Sequence, residues 1–228
     1  MNDQKRKKMT RKEREIKLRV QIILEAAEKL FLTKGYENTT MDEIADESEF
    51  SKGTLYNYFN SKDELYLAIG VKAYNLLADH TINFIEKQSP GLNQLMSVGY
   101  AYYSFSKKYP TYANVFHDIA IKVPDILTKP KNELTNIEKQ YLNSSNTYRD
   151  IFLKVMSEAI KLNAIRSDKS PMMIGYILST ITSSLVNHMM QNEHLVTSFG
   201  LNRDEIIDFA FEILAEGLKP RELQQNGG

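Results

Sequence analysis

The residues best equipped for chemistry lie between Ser51 and Lys62. Lys52, Thr54, Tyr56, Asn57 and Tyr58 set an ammonium, hydroxyls, an amide and rings around two apolar positions, Leu55 and Phe59, one helical turn apart. With Leu55 and Phe59 turned inward, the polar set is left outside. Such tips bond phosphate oxygens and base edges, and Gly53 lets another group approach the backbone closely. Ser51 and Lys62 open consecutive helices, and Thr39 and Thr40 stand at the start of another. Free N–H groups at helix starts favour a phosphate. Capping residues and exposed tyrosines also occur on any solvated helical surface. The residues alone therefore leave two readings open, a nucleic-acid contact and a plain helical face.

Other chemistries are poorly supplied. The chain has no Cys, which removes disulfide and thiol chemistry and fits a reducing cytoplasm, the location expected here. Its histidines are His80, His117, His188 and His194, and the last two stand six apart where a helical metal pair needs three or four. No nucleophile–base spacing and no Gly-rich phosphate loop is present. Enzyme activity, catalytic residues, metal and cofactor are all expected to be absent. Residues 170–192 carry no formal charge, but Ser179, Thr180, Thr182, Ser183, Ser184 and Asn187 make the run too polar for a membrane span. A helix buried on several sides is expected there.

The elements that must position these residues are helical throughout. Ile22, Ile23, Ala26, Ala27, Leu30 and Phe31 predict a first helix over 16–33, stopped by Gly35. Thr40 and Glu43 form a capping box that opens a short helix with Ile44 and Ala45 inward. Ser51 caps a third, and Ser61 with Glu64 forms a second capping box for a fourth that runs to about residue 86. Short helices joined by a few residues are the layout of a helix-turn-helix. Further helices are predicted over 92–108, 111–122 and 132–162, then from Pro171, and from the Asn202 cap to about Gly217. No strand is expected, and residues 221–228 read as a disordered tail.

Charge divides the chain unevenly. Lys plus Arg balance Asp plus Glu at 29 each, yet residues 1–20 hold nine bases and three acids. Residues 1–17 read as a basic arm that meets an anionic polymer or surface, or is a solvated tail. Residues 1–20 are charged and not apolar, so no signal peptide is expected in them.

The run from Ile23 to Ile69 resembles the DNA-binding head of the TetR/AcrR family of bacterial regulators. The matching pieces are Ala26-Ala27 with Leu30-Phe31, Gly35-Tyr36, Thr39-Thr40, Ile44-Ala45, Ser51-Lys52-Gly53-Thr54-Leu55-Tyr56, Tyr58-Phe59 and Lys62. The resemblance implies an all-α protein with a helix-turn-helix head over 18–64 and a helical ligand-binding and dimerisation domain over 65–220. It implies that Thr40, Ser51, Tyr56, Tyr58 and Lys62 hold phosphates, with Thr39 beside them, and that Lys52, Gly53, Thr54 and Asn57 lie near base edges or the flanking backbone. It also turns the basic arm into a segment for the adjacent minor groove, as in homeodomains. One departure stands out. The family often has Ala-Gly-Val in the turn before the recognition helix, and this chain has Ser48-Glu49-Phe50. Glu49 in place of a positive-φ glycine implies strain of about 1 kcal/mol.

In the second domain, Gly175, Ser179, Ser183 and Asn187 step by four and make a stripe of small residues. The last helix is apolar on two sides, with Phe209 and Ile213 on one and Phe211 and Leu214 on the other. One side can pack in the chain and the other needs a partner. Gly175, Ser179, Ser183, Phe209 and Ile213 are the expected homodimer interface, which would present two heads to a palindromic site in double-stranded DNA. A ring-rich region lies before it. Rings at helix spacing are ordinarily core. The family resemblance implies a pocket for a small hydrophobic effector, lined by Tyr103, Phe116, Tyr148, Phe152, Met156 and Tyr176. A homodimeric repressor released by an apolar ligand is the leading expectation. A DNA-binding activator or architectural regulator without an effector is the alternative.

Overall fold

A computed structural model describes residues 9–122, 126 and 128–220, with backbone alone at 117 and 120–122. Lys5, Arg6, Lys7 and Lys8 of the arm, and the tail 221–228, lie outside them. Ten helices and no strand make up the described residues: α1 (Arg11–Lys34), α2 (Met41–Glu47), α3 (Lys52–Tyr56), α4 (Lys62–Ile85), α5 (Leu92–Lys108), α6 (Pro110–Lys122), α7 (Asn136–Lys161), α8 (Pro171–Gln191), α9 (Glu193–Ser198) and α10 (Arg203–Leu218). No helix among them is long and apolar enough to cross a membrane.

Two compact units divide the chain. The first holds residues up to Ile69 together with a return segment ending at Glu138, in which Ile126 and Leu134 are buried. The domain boundary expected from the sequence puts that segment in the second domain. Its burial is long-range and leaves no local periodicity to read. In the first unit α1 packs on α2, and α2 on α3. The apolar set legible in the sequence is the core: Ile23, Ala27, Ile44, Ala45 and Leu55 are at most 3% exposed. Phe31, Tyr36 and Tyr66 pack as a ring cluster, with Tyr66 edge-on to Phe31 at 5.2 Å.

The second unit spans Gly70–Lys122 and Lys139 onward. One core cluster joins Leu95 and Val98 of α5 to Met156 and Ala159 of α7 and to Ile174 and Leu178 of α8. Another joins Tyr103 of α5, Val186 and Met189 of α8, and Ile207 and Phe211 of α10. Tyr103 donates to Asp204 at 2.6 Å, tying α5 to the start of α10.

Three boundaries differ from the expectation. α1 starts at Arg11, because Thr10 and Glu13 close a capping box there. α7 starts at Asn136, where Thr135 and Glu138 cap each other reciprocally. The second expected capping box is displaced by one residue: Ser61 accepts from Glu64 N at 3.2 Å, but the Glu64 carboxylate returns to Asn60. The short α9 has no counterpart in the expectation.

Gly99 of α5 packs closely against the second core. A Cβ there would lie 2.9 Å from Cζ of Phe211, a ring only 2% exposed. Gly99→Ala is expected to destabilise the protein, since overpacking of about 1–3 kcal/mol outweighs a helix-propensity gain of about 1 kcal/mol. A lowered urea midpoint with unchanged helical content checks this.

Candidate nucleic-acid interface and ligand cavity

α3 is five residues long, too short to persist alone. Leu55 at 0% and Phe59 at 6% exposure pin it to the first unit, and Ser51 caps it by accepting from Thr54 N at 3.2 Å. With its inward face fixed, Ser51, Lys52, Gly53, Tyr56 and Asn57 are exposed, and Thr54 and Tyr58 are half-buried. A Cβ on Gly53 would meet nothing nearer than Ser51 Oγ at 4.0 Å, so the space in front of the backbone is open.

The turn into α3 is a Schellman closure of α2. Glu49 N bonds to Asp46 O at 3.1 Å and Phe50 N to Ala45 O at 3.0 Å. That closure needs a left-handed residue, and Glu49 supplies it at φ 58°. Asn163 at φ 52° closes α7 in the same way. Asn adopts this conformation readily through its short polar side chain, whereas Glu does so only at a cost in strain. Ser48 is buried and donates to Ala45 O at 3.0 Å.

The polar groups around α3 are held by neighbours. Lys52 pairs with Asp42 at 2.6 Å, both side chains well exposed. Thr40 is exposed and caps α2 in a reciprocal box with Glu43. Bonds from Lys34 and Thr40 hold the Glu43 carboxylate down at about 2. Lys62 donates to Tyr36 O at 2.8 Å and stands 4.2 Å from the centroid of the Tyr36 ring, while the Tyr36 hydroxyl donates to Asp63. Burial, and then Asp63, raise the Tyr36 phenol far above its ordinary range. Arg19 of α1 reaches both Glu15 and the Tyr58 hydroxyl.

Thr39 is the exception among the expected contacts. It is 1% exposed and its hydroxyl donates to Gly35 O at 2.8 Å, so it braces the turn before α2 from inside. The sequence could not separate it from Thr40, because adjacent threonines at a helix start look alike until one is sealed in.

The second unit encloses a cavity of about 770 Å³. Phe116, Tyr148, Phe152 and Tyr176 line it as expected, with Tyr176 at 73% exposure on its open side. Tyr103 and Met156 do not. Tyr103 belongs to the core beside α10, and Met156, at 0% exposure, belongs to the core between α5 and α8. Tyr74, Tyr102, Ser145 and Arg149, outside the expected set, do line it. Tyr74 packs against Phe116 at 4.5 Å and against Tyr141 and Tyr148. Its position on α4, apart from the later ring-rich run, hides it in the sequence. Burial raises the Tyr74 and Tyr148 phenols and, with Tyr74 nearby, pushes Tyr102 up to about 12. These hydroxyls are neutral donors at physiological pH. The buried Thr81 hydroxyl makes no hydrogen bond of good geometry, and the Tyr148 phenol is its polar neighbour.

The stripe on α8 begins inside, at buried Gly175, and runs out through half-buried Ser183 and exposed Ser179. A Cβ on Gly175 would lie 3.0 Å from Phe152 and from Met156 of α7, and Ser179 and Ser183 line the cavity. Gly175 is thus taken up by α7, whereas Ser179 and Ser183 stay accessible on α8. Small residues at four-residue spacing mark close approach, and the neighbour approached here is the chain's own α7. Exposed apolar residues on these two helices include Met172, Met173, Ile177 and Ile181 of α8 and the expected Phe209 and Ile213 of α10, the last two at 63% and 56%. No cluster of metal-ligating side chains occurs among the described residues.

Residues 23–69 match the family model described as bacterial regulatory proteins, tetR family. Over 47 residues the chain is 49% identical to the HTH-type transcriptional regulator YfiR of Bacillus subtilis, covering 21% of this chain and 23% of YfiR. It is 51% identical over 47 residues to the HTH-type transcriptional activator FasR of Mycolicibacterium smegmatis, covering 21% and 22%. The chain thus spans under a quarter of the length of these curated relatives. The fold is similar to that of the regulator FadR of Bacillus subtilis in complex with stearoyl-CoA, with a TM-score of 0.64 and 15% identity over 87% of this chain and 98% of that one.

Replacing the strained residue tests the turn. Glu49→Gly is expected to stabilise the protein by about 0.5–1 kcal/mol, because relief of left-handed strain exceeds the added backbone entropy. Glu49→Val, with a β-branched side chain at the same φ, is expected to lower stability. Urea midpoints of the two variants, ordered about wild type, check the assignment.

Proposed function

We propose, from the match of residues 23–69 to the tetR family of bacterial regulatory proteins, that this chain is a DNA-binding transcriptional regulator: a cytoplasmic homodimeric repressor that releases a palindromic operator when a small, mainly apolar ligand fills its cavity. The observation that carries the reading is the outward row Lys52, Gly53, Tyr56 and Asn57 on a helix pinned by Leu55 and Phe59. Lys52, Gly53, Thr54 and Asn57 serve base edges and the nearby backbone. Thr40, Ser51, Tyr56, Tyr58 and Lys62 serve phosphates, with Lys62 already oriented by Tyr36. Lys52 must exchange Asp42 for its contact with DNA.

Electrostatics give the basic arm its role. Residues 18–64 hold five bases against ten acids, and residues 1–17 hold eight bases against three. A head with that balance repels a polyanion, so the attraction comes from the arm and the start of α1. The exposed apolar residues Ile177, Ile181, Phe209 and Ile213 supply the apolar part of the dimer interface, with Ser179 and Ser183 beside them on α8. Helix α4 begins at Lys62 and carries Tyr74 and Leu77 of the cavity. A ligand that binds one form better shifts the population toward it. The name of FasR favours an activator as a second reading. The cavity supports effector control in either case and disfavours a purely architectural role.

Selection of bound duplexes from a random pool by the purified protein tests the reading, and a palindromic consensus is expected. Lys52→Ala and Tyr56→Ala are each expected to weaken that duplex by about 1–3 kcal/mol, and an absence of enrichment at low salt would count against DNA binding. Deleting residues 1–9 leaves the Thr10 cap in place. The slope of log affinity against log salt should then fall by about 0.9 for each phosphate that the arm no longer neutralises. Phe209→Asp with Ile213→Asp should yield monomers in sedimentation.

A further inference from the structure

The charge inventory of the cavity is lopsided. Among its described lining residues there is no Asp or Glu, and one permanently charged group, Arg149 of α7. The Arg149 side chain is 54% exposed and therefore stands at the opening. The neighbouring carboxylate of Asp150 is 3.7 Å away, too far for a hydrogen bond, so the guanidinium keeps donors to spare. Farther in, the wall is Leu77, Leu95, Val98, Phe116 and Phe152. The Tyr74 hydroxyl there is already engaged with Tyr141 and Ser145, and that of Tyr102 with Ser106. The other polar groups of the lining, Ser145, Ser179, Ser183 and Asn187 among them, carry no permanent charge, whereas the rim offers a planar cationic fork. A carboxylate matches that fork bidentately. An ammonium gains only ring faces and meets a like charge at the entrance.

We propose that the cavity takes an anionic amphiphile, its carboxylate on Arg149 and its apolar body inside. This rests on the reading of the cavity as the effector site, and it commits that reading to one charge class. The partial exposure of Arg149 keeps the head group near water, so an acid enters without desolvating its charge completely.

The test uses the full chain without DNA, so a failure to select an operator bears on the regulator reading and not on this one. Hexadecanoic acid, hexadecanol and hexadecylamine share one apolar body and differ in head charge. Calorimetric titration of the wild type is expected to rank the acid about tenfold tighter than the alcohol, with the amine weakest. Arg149→Gln should bring the acid down to the level of the alcohol and leave the alcohol unchanged, while Arg149→Lys should restore part of the difference. Arg149 is a surface residue of α7, and an unchanged unfolding temperature of the ligand-free variants excludes a folding defect. An amine bound as tightly as the acid, an acid affinity unaffected by Arg149→Gln, or binding of none of the three probes would overturn the proposal and leave the DNA selection standing.

Discussion

A five-residue helix cannot hold itself in water, so the outward face of α3 exists only because Leu55 and Phe59 are sealed into the first unit. Full burial of one such side chain contributes about 1.5–3 kcal/mol. The rest of the head follows from that anchoring. α2 must end sharply enough to turn α3 over Ile44 and Ala45, and the Schellman closure at Ser48-Glu49-Phe50 does so. A left-handed glutamate is tolerated there because the surrounding bonds over-determine the turn.

Around this anchor the polar side chains are organised before any partner arrives. Lys62 is held on the Tyr36 carbonyl and ring, Arg19 is shared between Glu15 and Tyr58, and Thr40 is committed to its capping box. Pre-ordered side chains lose less entropy on binding. Lys52 differs, since its pair with Asp42 is a solvated bridge of little intrinsic strength and is easily exchanged for a phosphate or base. In the proposed reading, the acidic balance of the head leaves attraction to a polyanion to the arm, and α3 contributes through geometry.

The second unit spends its small residues on cavity construction. Gly175 lets α8 come down onto Phe152 and Met156, and Ser179 and Ser183 farther along α8 border the open side of the cavity. The tyrosines of α4, α5 and α7 stay protonated because burial raises their phenols. The cavity is therefore uncharged in its depth and cationic at its rim, an arrangement set by which face of α7 bears Arg149.

Local rules carried much of this protein. Thr10, Thr40 and Ser51 mark helix starts through bonds to residues three positions on, and Gly35 and Asn202 act over the same range. Those interactions lie inside a window of sequence, and so do the helical periods that put Leu55 inward and Lys52, Tyr56 and Asn57 outward. The all-α class and the face of α3 were legible for that reason. Even where a local signal was read, competition moved it, as when Thr135 with Glu138 set the start of α7. What a face packs against was decided only by the tertiary structure. The same periodicity that exposed the stripe on α8 could not say whether its neighbour was a second chain or α7. Nor could it say that Thr39 would be sealed while Thr40 stayed open, that Tyr74 would join the cavity, or that Tyr103 and Met156 would fall into the core. Helical period assigns a residue to a side. Only long-range packing determines what stands on that side.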